Sequence, residues 1–247
     1  MTSLPSDILT IGILLVSALI RSTLGFGDAL IATPLLAMFL GIRTTAPLVA
    51  LASTFISFII LIRHWSVVDI RIALRLLLSA LGGIYIGIFY LTRVPESLIQ
   101  AVLGLLLISF SLYNMVQPSF DRPPISRHLA YVFGFTAGML GGAYNAVGPM
   151  IILYGHLRRW PADRFRATLQ SCFFPIYFFI VVGQGFAGLL TPTVLRLFGL
   201  SLPLIGAAFF LGNKINTAIP QTSFTRYVNV ALFIIGAWLC GQWLQTL

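Results

Sequence analysis

The chain has 247 residues, of which 58% are hydrophobic and 9% charged. Soluble domains carry about 25% charged residues, so this chain lacks the polar side chains to cover itself in water, and lipid is its solvent. Its 15 Lys and Arg against 6 Asp and Glu are divided among the loops between apolar runs, which excludes a basic nucleic-acid face and fits the excess of cations on cytoplasmic loops.

The first apolar run, 8–24, follows a start without basic residues. A cleaved signal peptide is therefore not expected, and the run should remain in the protein. Gly25-Phe26-Gly27-Asp28 interrupts it and 29–41 resumes. Helices are expected over 45–62, 72–91 and 98–115. The polar stretch 118–128, with Pro118, Pro123 and Pro124, reads as a linker. The pattern then restarts: 129–140 is apolar, Gly141-Gly142-Ala143-Tyr144-Asn145 is a break, and 146–157 resumes. After a basic loop at 158–166, helices are expected over 167–186, 195–211 and 227–244. Cys172 and Cys240 both lie in apolar runs, with no Cys/His cluster. Neither a disulfide framework, nor a metal, nor a cofactor is expected.

The halves 1–117 and 129–247 look related. Pro34 in Ala32-Thr33-Pro34 answers Pro149 in Val147-Gly148-Pro149, each after a glycine-rich break. Ala52-Ser53-Thr54-Phe55 resembles Gln170-Ser171-Cys172-Phe173, and Pro95 answers Pro220. The predicted fold is an all-α integral membrane protein of two inverted repeats. Each repeat is a glycine-broken re-entrant helical hairpin (8–41 and 129–157) followed by three transmembrane helices. Internal symmetry with paired, interrupted segments is a mark of secondary transporters.

Loop charge selects the hairpins. If each interrupted segment made a simple crossing, the fourteen loop cations would divide eight to six. With hairpins, eleven share one side and only Arg43, Arg93 and Arg196 lie opposite, a strong positive-inside pattern. This arrangement puts both termini outside. Runs of twelve residues such as 129–140 and 146–157 rise ~18 Å each, short of a ~30 Å hydrocarbon core. The run 8–24 is nearly long enough to cross.

Irregular backbone at membrane depth must be buried in protein or line a cavity. A helix starting after each break would aim its unpaired N–H groups and positive dipole end at the protein centre. Two such ends make a cradle for an anion. The candidate binding residues are Gly25, Phe26 and Gly27 in the first break, and Gly141, Gly142, Tyr144, Asn145 and Gly148 in the second. Gly83, Gly87, Gly134 and Gly138, spaced four apart within helices, read as packing positions. Ser53, Gln170 and Ser171 are candidate hydrogen-bonding positions in the cavity wall; bonding to their own helix is the other reading. Arg21 is a charge in an apolar run and a candidate anion ligand. Asp28 opens the next run. It would repel an anion unless protonated, so it is a candidate carrier of a coupling proton; a helix N-cap, or an ion pair with Arg21, is the alternative.

Gly25-Phe26-Gly27 followed by Ala32-Thr33-Pro34-Leu35-Leu36, and Gly138-x-x-Gly141-Gly142 followed by Gly148-Pro149, resemble the two signatures of the TauE/SafE sulfite and sulfonate exporter family. The resemblance spans nearly the whole chain as two repeats. It implies a plasma-membrane transporter for a small anion such as sulfite, sulfoacetate or a related organic acid, and a homodimer. Asp28 departs from the family, which usually has glycine there. The rival readings are an anion channel, a non-transporting scaffold, and a membrane-embedded acyltransferase built on His64 and Asp69, an H-x4-D pattern. No G-x-x-x-x-G-K-[ST] phosphate loop is present for a pump.

Overall fold

The computed structural model describes residues 4–64, 70–116, 125–160, 162–215 and 221–244. These form ten helices: α1 (Leu4–Leu24), α2 (Asp28–Leu40), α3 (Ile42–His64), α4 (Ile70–Arg93), α5 (Glu96–Val116), α6 (Leu129–Tyr144), α7 (Gly148–Leu157), α8 (Ala162–Phe186), α9 (Pro192–Ile215) and α10 (Gln221–Leu244). No strand occurs among the described residues. Seven helices (α1, α3, α4, α5, α8, α9 and α10) are long and apolar enough to cross a bilayer. The chain is therefore a multi-pass, all-α membrane protein. Much of the predicted linker, Asp69, and the side chains of His64 and Lys214 lie outside the described residues.

The breaks between helices have local causes. Gly25 (φ 82°) and Gly27 (φ 97°) take left-handed conformations that are open to glycine at little cost. The Gly25 N–H closes α1 by donating to the Arg21 carbonyl at 2.7 Å. Between α2 and α3, Gly41 also has positive φ, and the Glu96 carboxylate accepts the Ile42 N–H at 2.6 Å. A side chain from α5 thus satisfies a donor at the start of α3.

The second break corrects the sequence reading. Gly141 and Gly142 are helical, and α6 continues to Tyr144. The turn falls at Asn145 (φ 59°), whose N–H donates to the Gly141 carbonyl at 2.8 Å, while the Ala146 N–H reaches Leu140 at 3.2 Å. Asparagine tolerates this conformation, and the paired bonds terminate a helix as a glycine would. With 16 residues, α6 rises ~24 Å, longer than the predicted half-crossing, and α7, with 10 residues, rises ~15 Å. With 21 residues, α1 is itself long enough to span.

Consecutive pairs fold back on themselves: α1 packs on α2, and α6 on α7. The most extensive contacts join α4 to α6, α5 to α10, α1 to α9 and α3 to α8. The α4–α6 seam runs on glycine. A Cβ on Gly83 would strike the Phe135 carbonyl, one on Gly138 the Ala80 carbonyl, and one on Gly142 the Ile84 carbonyl. Only the missing side chains let these backbones approach, the usual route to tight packing where lipid supplies no hydrophobic drive. Gly104 and Gly236 serve the α5–α10 seam in the same way. One apolar cluster joins α1, α2, α3 and α9 through Leu14, Ala18, Leu36, Ile56 and Phe209. A larger one includes residues of α4, α6, α7 and α8, among them Leu76, Ile84, Ala137, Ile151 and Ile180. Helices α3 and α8 pack on one another, and polar residues of both, Ser53, Ser57, Gln170 and Tyr177, meet the two breaks.

Candidate functional site

Leu14, Ala18 and Arg21 share the buried face of α1. At the end of that face Arg21, 1% exposed, is surrounded. Its Nη1 donates to Asp28 Oδ1 at 2.7 Å. Its Nη2 donates to Ser57 Oγ at 2.5 Å and to Gln170 Oε1 at 3.4 Å. The guanidinium lies 5.3 Å from the Phe173 ring centroid and 5.6 Å from that of Tyr177, within cation–π range. Its Nε has no partner.

Asp28 is the first residue of α2, but it does not cap it. The cap position is Gly27, with no side-chain bond to the helix. Asp28 Oδ1 accepts from Arg21, and Oδ2 accepts from Ser53 Oγ at 2.6 Å. The ion pair, one of the alternatives open from the sequence, is the arrangement found. Ser57 donates in turn to the Ser53 carbonyl at 2.6 Å. Gln170 makes the remaining tie: its Nε2 donates to the Gly25 carbonyl at 2.6 Å. That bond joins α8 to the first break.

Asn145 joins the second break to the same centre. Its Nδ2 donates to the Ala46 carbonyl at 2.8 Å, and its own carbonyl accepts from Tyr177 Oη at 2.8 Å. Arg21, Phe26, Gly27, Asp28, Ala29, Leu30, Asn145, Gly148, Phe173 and Tyr177 line one small cavity. Its volume is ≈ 10 Å³, room for about one water. Its wall includes the first residues of both α2 and α7. Two helix N-termini and the buried Arg21–Asp28 pair therefore converge on one point; the helix ends and the guanidinium favour negative charge, and the Asp28 carboxylate already supplies one.

Not every predicted residue arrives there. Gly142 faces α4, and a Cβ on Gly141 would meet Val147 and Ile180. The Tyr144 ring packs against Tyr90 of α4 at 6.3 Å. Ser171 Oγ donates to the Thr168 carbonyl of its own helix at 2.7 Å. Ser53 and Gln170 act through Asp28, Arg21 and Gly25 instead of lining the cavity. Sequence reasoning missed Phe173 and Tyr177. The signal was available, because Gln170, Phe173 and Tyr177 recur at helical spacing on one face of α8.

A wider groove of ≈ 570 Å³ lies between α4 and α8, lined by Ile84, Tyr85, Ile88, Phe179 and Phe186, with Arg93 and Thr92 as its polar members. It is apolar and open, and it gathers none of the buried polar groups above.

A polytopic helical bundle with a polar, charge-bearing centre at two chain breaks is an arrangement that membrane transporters use. The family model described as Sulfite exporter TauE/SafE matches residues 9–239, and the chain belongs to this family. No curated protein and no solved structure matches it. Family membership implies a membrane setting and a small anionic substrate.

Proposed function

We propose that the protein is a secondary transporter that carries a small anion, sulfite or a sulfonate such as sulfoacetate, across the plasma membrane by alternating access. The observation that carries this reading is the shared cavity: the N-termini of α2 and α7 and the Arg21 side chain all line it. Phe26, Gly27, Asn145 and Gly148 shape the cradle around the anion, and Gly25 backs it through its bond from Gln170. The cavity holds about one water, so a three-oxygen anion enters only as the Arg21–Asp28 contact opens.

Asp28 carries the coupling proton. Ionised, it neutralises Arg21; protonated, it releases the guanidinium to the anion, so proton and anion binding reinforce one another. Movement of the proton together with the anion follows from that linkage, and export is then the direction set by the outward anion gradient.

The architecture is a pair of inverted repeats with re-entrant hairpins α1–α2 and α6–α7. Supporting this, exchanging α1 to α5 with α6 to α10 maps the most extensive helix contacts onto one another. The α1–α9 contact becomes α6–α4, α3–α9 becomes α8–α4, and α2–α3 becomes α7–α8. The α3–α8 and α5–α10 contacts map onto themselves. The charge bias of the loops supports termini on the outer side. The protein works as a homodimer, as the family resemblance implies.

The test is uptake by proteoliposomes of labelled sulfite, sulfoacetate and taurine, with and without a pH gradient. Flux of one anion that follows the gradient is expected. Absence of flux for all three in folded protein overturns the sulfite and sulfonate assignment.

A further inference from the structure

We infer that the cavity selects an anion that still carries one acidic O–H over an anion of equal charge and similar size that has none. This rests on the reading of the cavity as the anion site. The chemical class is hydrogensulfite, together with half-protonated dianions such as a sulfonate bearing a carboxylic acid group.

The argument starts from Asn145, 1% exposed. Its Nδ2 donates to the Ala46 carbonyl, which fixes the amide: turned over, it would set oxygen against oxygen. The backbone N–H of Asn145 is spent on Gly141, and its carbonyl is taken by Tyr177. What remains is Oδ1, a buried acceptor with no partner. Oδ1 is thus the unpartnered acceptor of the side chain, beside the second hydrogen that Nδ2 carries.

Arg21 presents the complement. Its Nε is a buried donor without a partner. The first turns of α2 and α7 add backbone donors. A fully deprotonated oxyanion can satisfy these donors, but its lone pairs would face the lone pairs of Asn145 Oδ1. Methanesulfonate would set a methyl group or a bare oxygen there. An O–H on the anion instead donates to Oδ1 while the remaining oxygens take the donors. Sites built around a substrate hydroxyl reject analogues that lack it by factors far larger than apolar pockets achieve, because their own polar groups are left unpaired.

The test compares labelled sulfite with labelled methanesulfonate in proteoliposomes of the full chain, at one mildly acidic pH where hydrogensulfite dominates. Both are then monoanions, so charge and proton gradient are held equal. Methanesulfonate is expected to move at least about tenfold more slowly and to compete correspondingly weakly. Equal rates for the two anions overturn the O–H requirement and leave the anion site standing. No flux of either in folded protein removes both. Asn145→Gly keeps the left-handed turn and its backbone bonds while deleting the acceptor, and the gap between the anions is expected to narrow. An undiminished gap in that variant overturns the assignment to Asn145, and should the variant not fold, the wild-type comparison decides alone.

Discussion

Arg21 Nη1 lies 2.7 Å from Asp28 Oδ1, with the two side chains 1% and 5% exposed. Only three residues of non-helical chain separate their helices, so the pair clamps the first break shut. Removing one member of a buried ion pair leaves an unpaired charge and costs ~3–5 kcal/mol. Arg21→Met and Asp28→Ala are each expected to lower stability by about 3 kcal/mol or more. The double variant should be more stable than either single one, yet inactive in transport. Thermal unfolding in detergent alongside flux measures both; additive losses would show that the two charges do not depend on one another.

Asp28→Asn keeps the size of the side chain and one acceptor for Arg21 but cannot ionise. Flux through this variant is expected to lose its dependence on the pH gradient. Gradient-dependent flux of wild-type form in Asp28→Asn would place the coupling proton elsewhere.

Gly27 has room for a Cβ, with only Ile20 at 4.0 Å, but its φ of +97° suits no L side chain. Gly27→Ala is therefore expected to cost ~1–2 kcal/mol through backbone strain. Gly138→Val fails for a different reason, because its Cβ meets the Ala80 backbone of α4; overpacking of this kind costs ~1–3 kcal/mol or more. Gly199→Ala, with nothing within 4 Å, is the neutral control. Melting temperatures of the three variants rank them.

The Glu96 carboxylate holds the Ile42 N–H at 2.6 Å and accepts from Gln100 at 3.3 Å. Glu96→Ala removes this distant cap and is expected to cost ~1 kcal/mol. Glu96→Gln retains an acceptor and should recover most of the loss. Thermal unfolding of the pair tests the capping role.

The all-helical character and the importance of Arg21 and Asp28 were legible because a charge in an apolar run is visible without coordinates. That the two would meet was one of several readings, and the partners Ser57, Phe173 and Tyr177 come from helices far along the chain. The first break was legible in Gly25 and Gly27, whose conformations only glycine takes easily. The second was opened too early: of the predicted break 141–145 only the last residue, Asn145, makes the turn. Gly141 and Gly142 signal a break by composition, but α4 uses Gly142 for close approach, and the turn passes to Asn145. Sequence does not distinguish a glycine kept for packing from one kept for a turn until the neighbouring helix is known. Helix periodicity alone also leaves open whether Ser53 and Ser171, at matching positions, do the same work. One bonds Asp28 and the other its own helix.

The central claim, that an oxyanion sits between the N-termini of α2 and α7 beside Arg21, is tested most directly by crystals grown with selenite and measured at the selenium edge. Selenite reproduces the shape and protonation chemistry of sulfite and adds an anomalous scatterer. The account predicts a selenium peak in the cavity bounded by Gly27, Gly148 and Arg21, lost in Arg21→Met. A peak elsewhere, such as the apolar groove between α4 and α8, with none in the cradle, would contradict it.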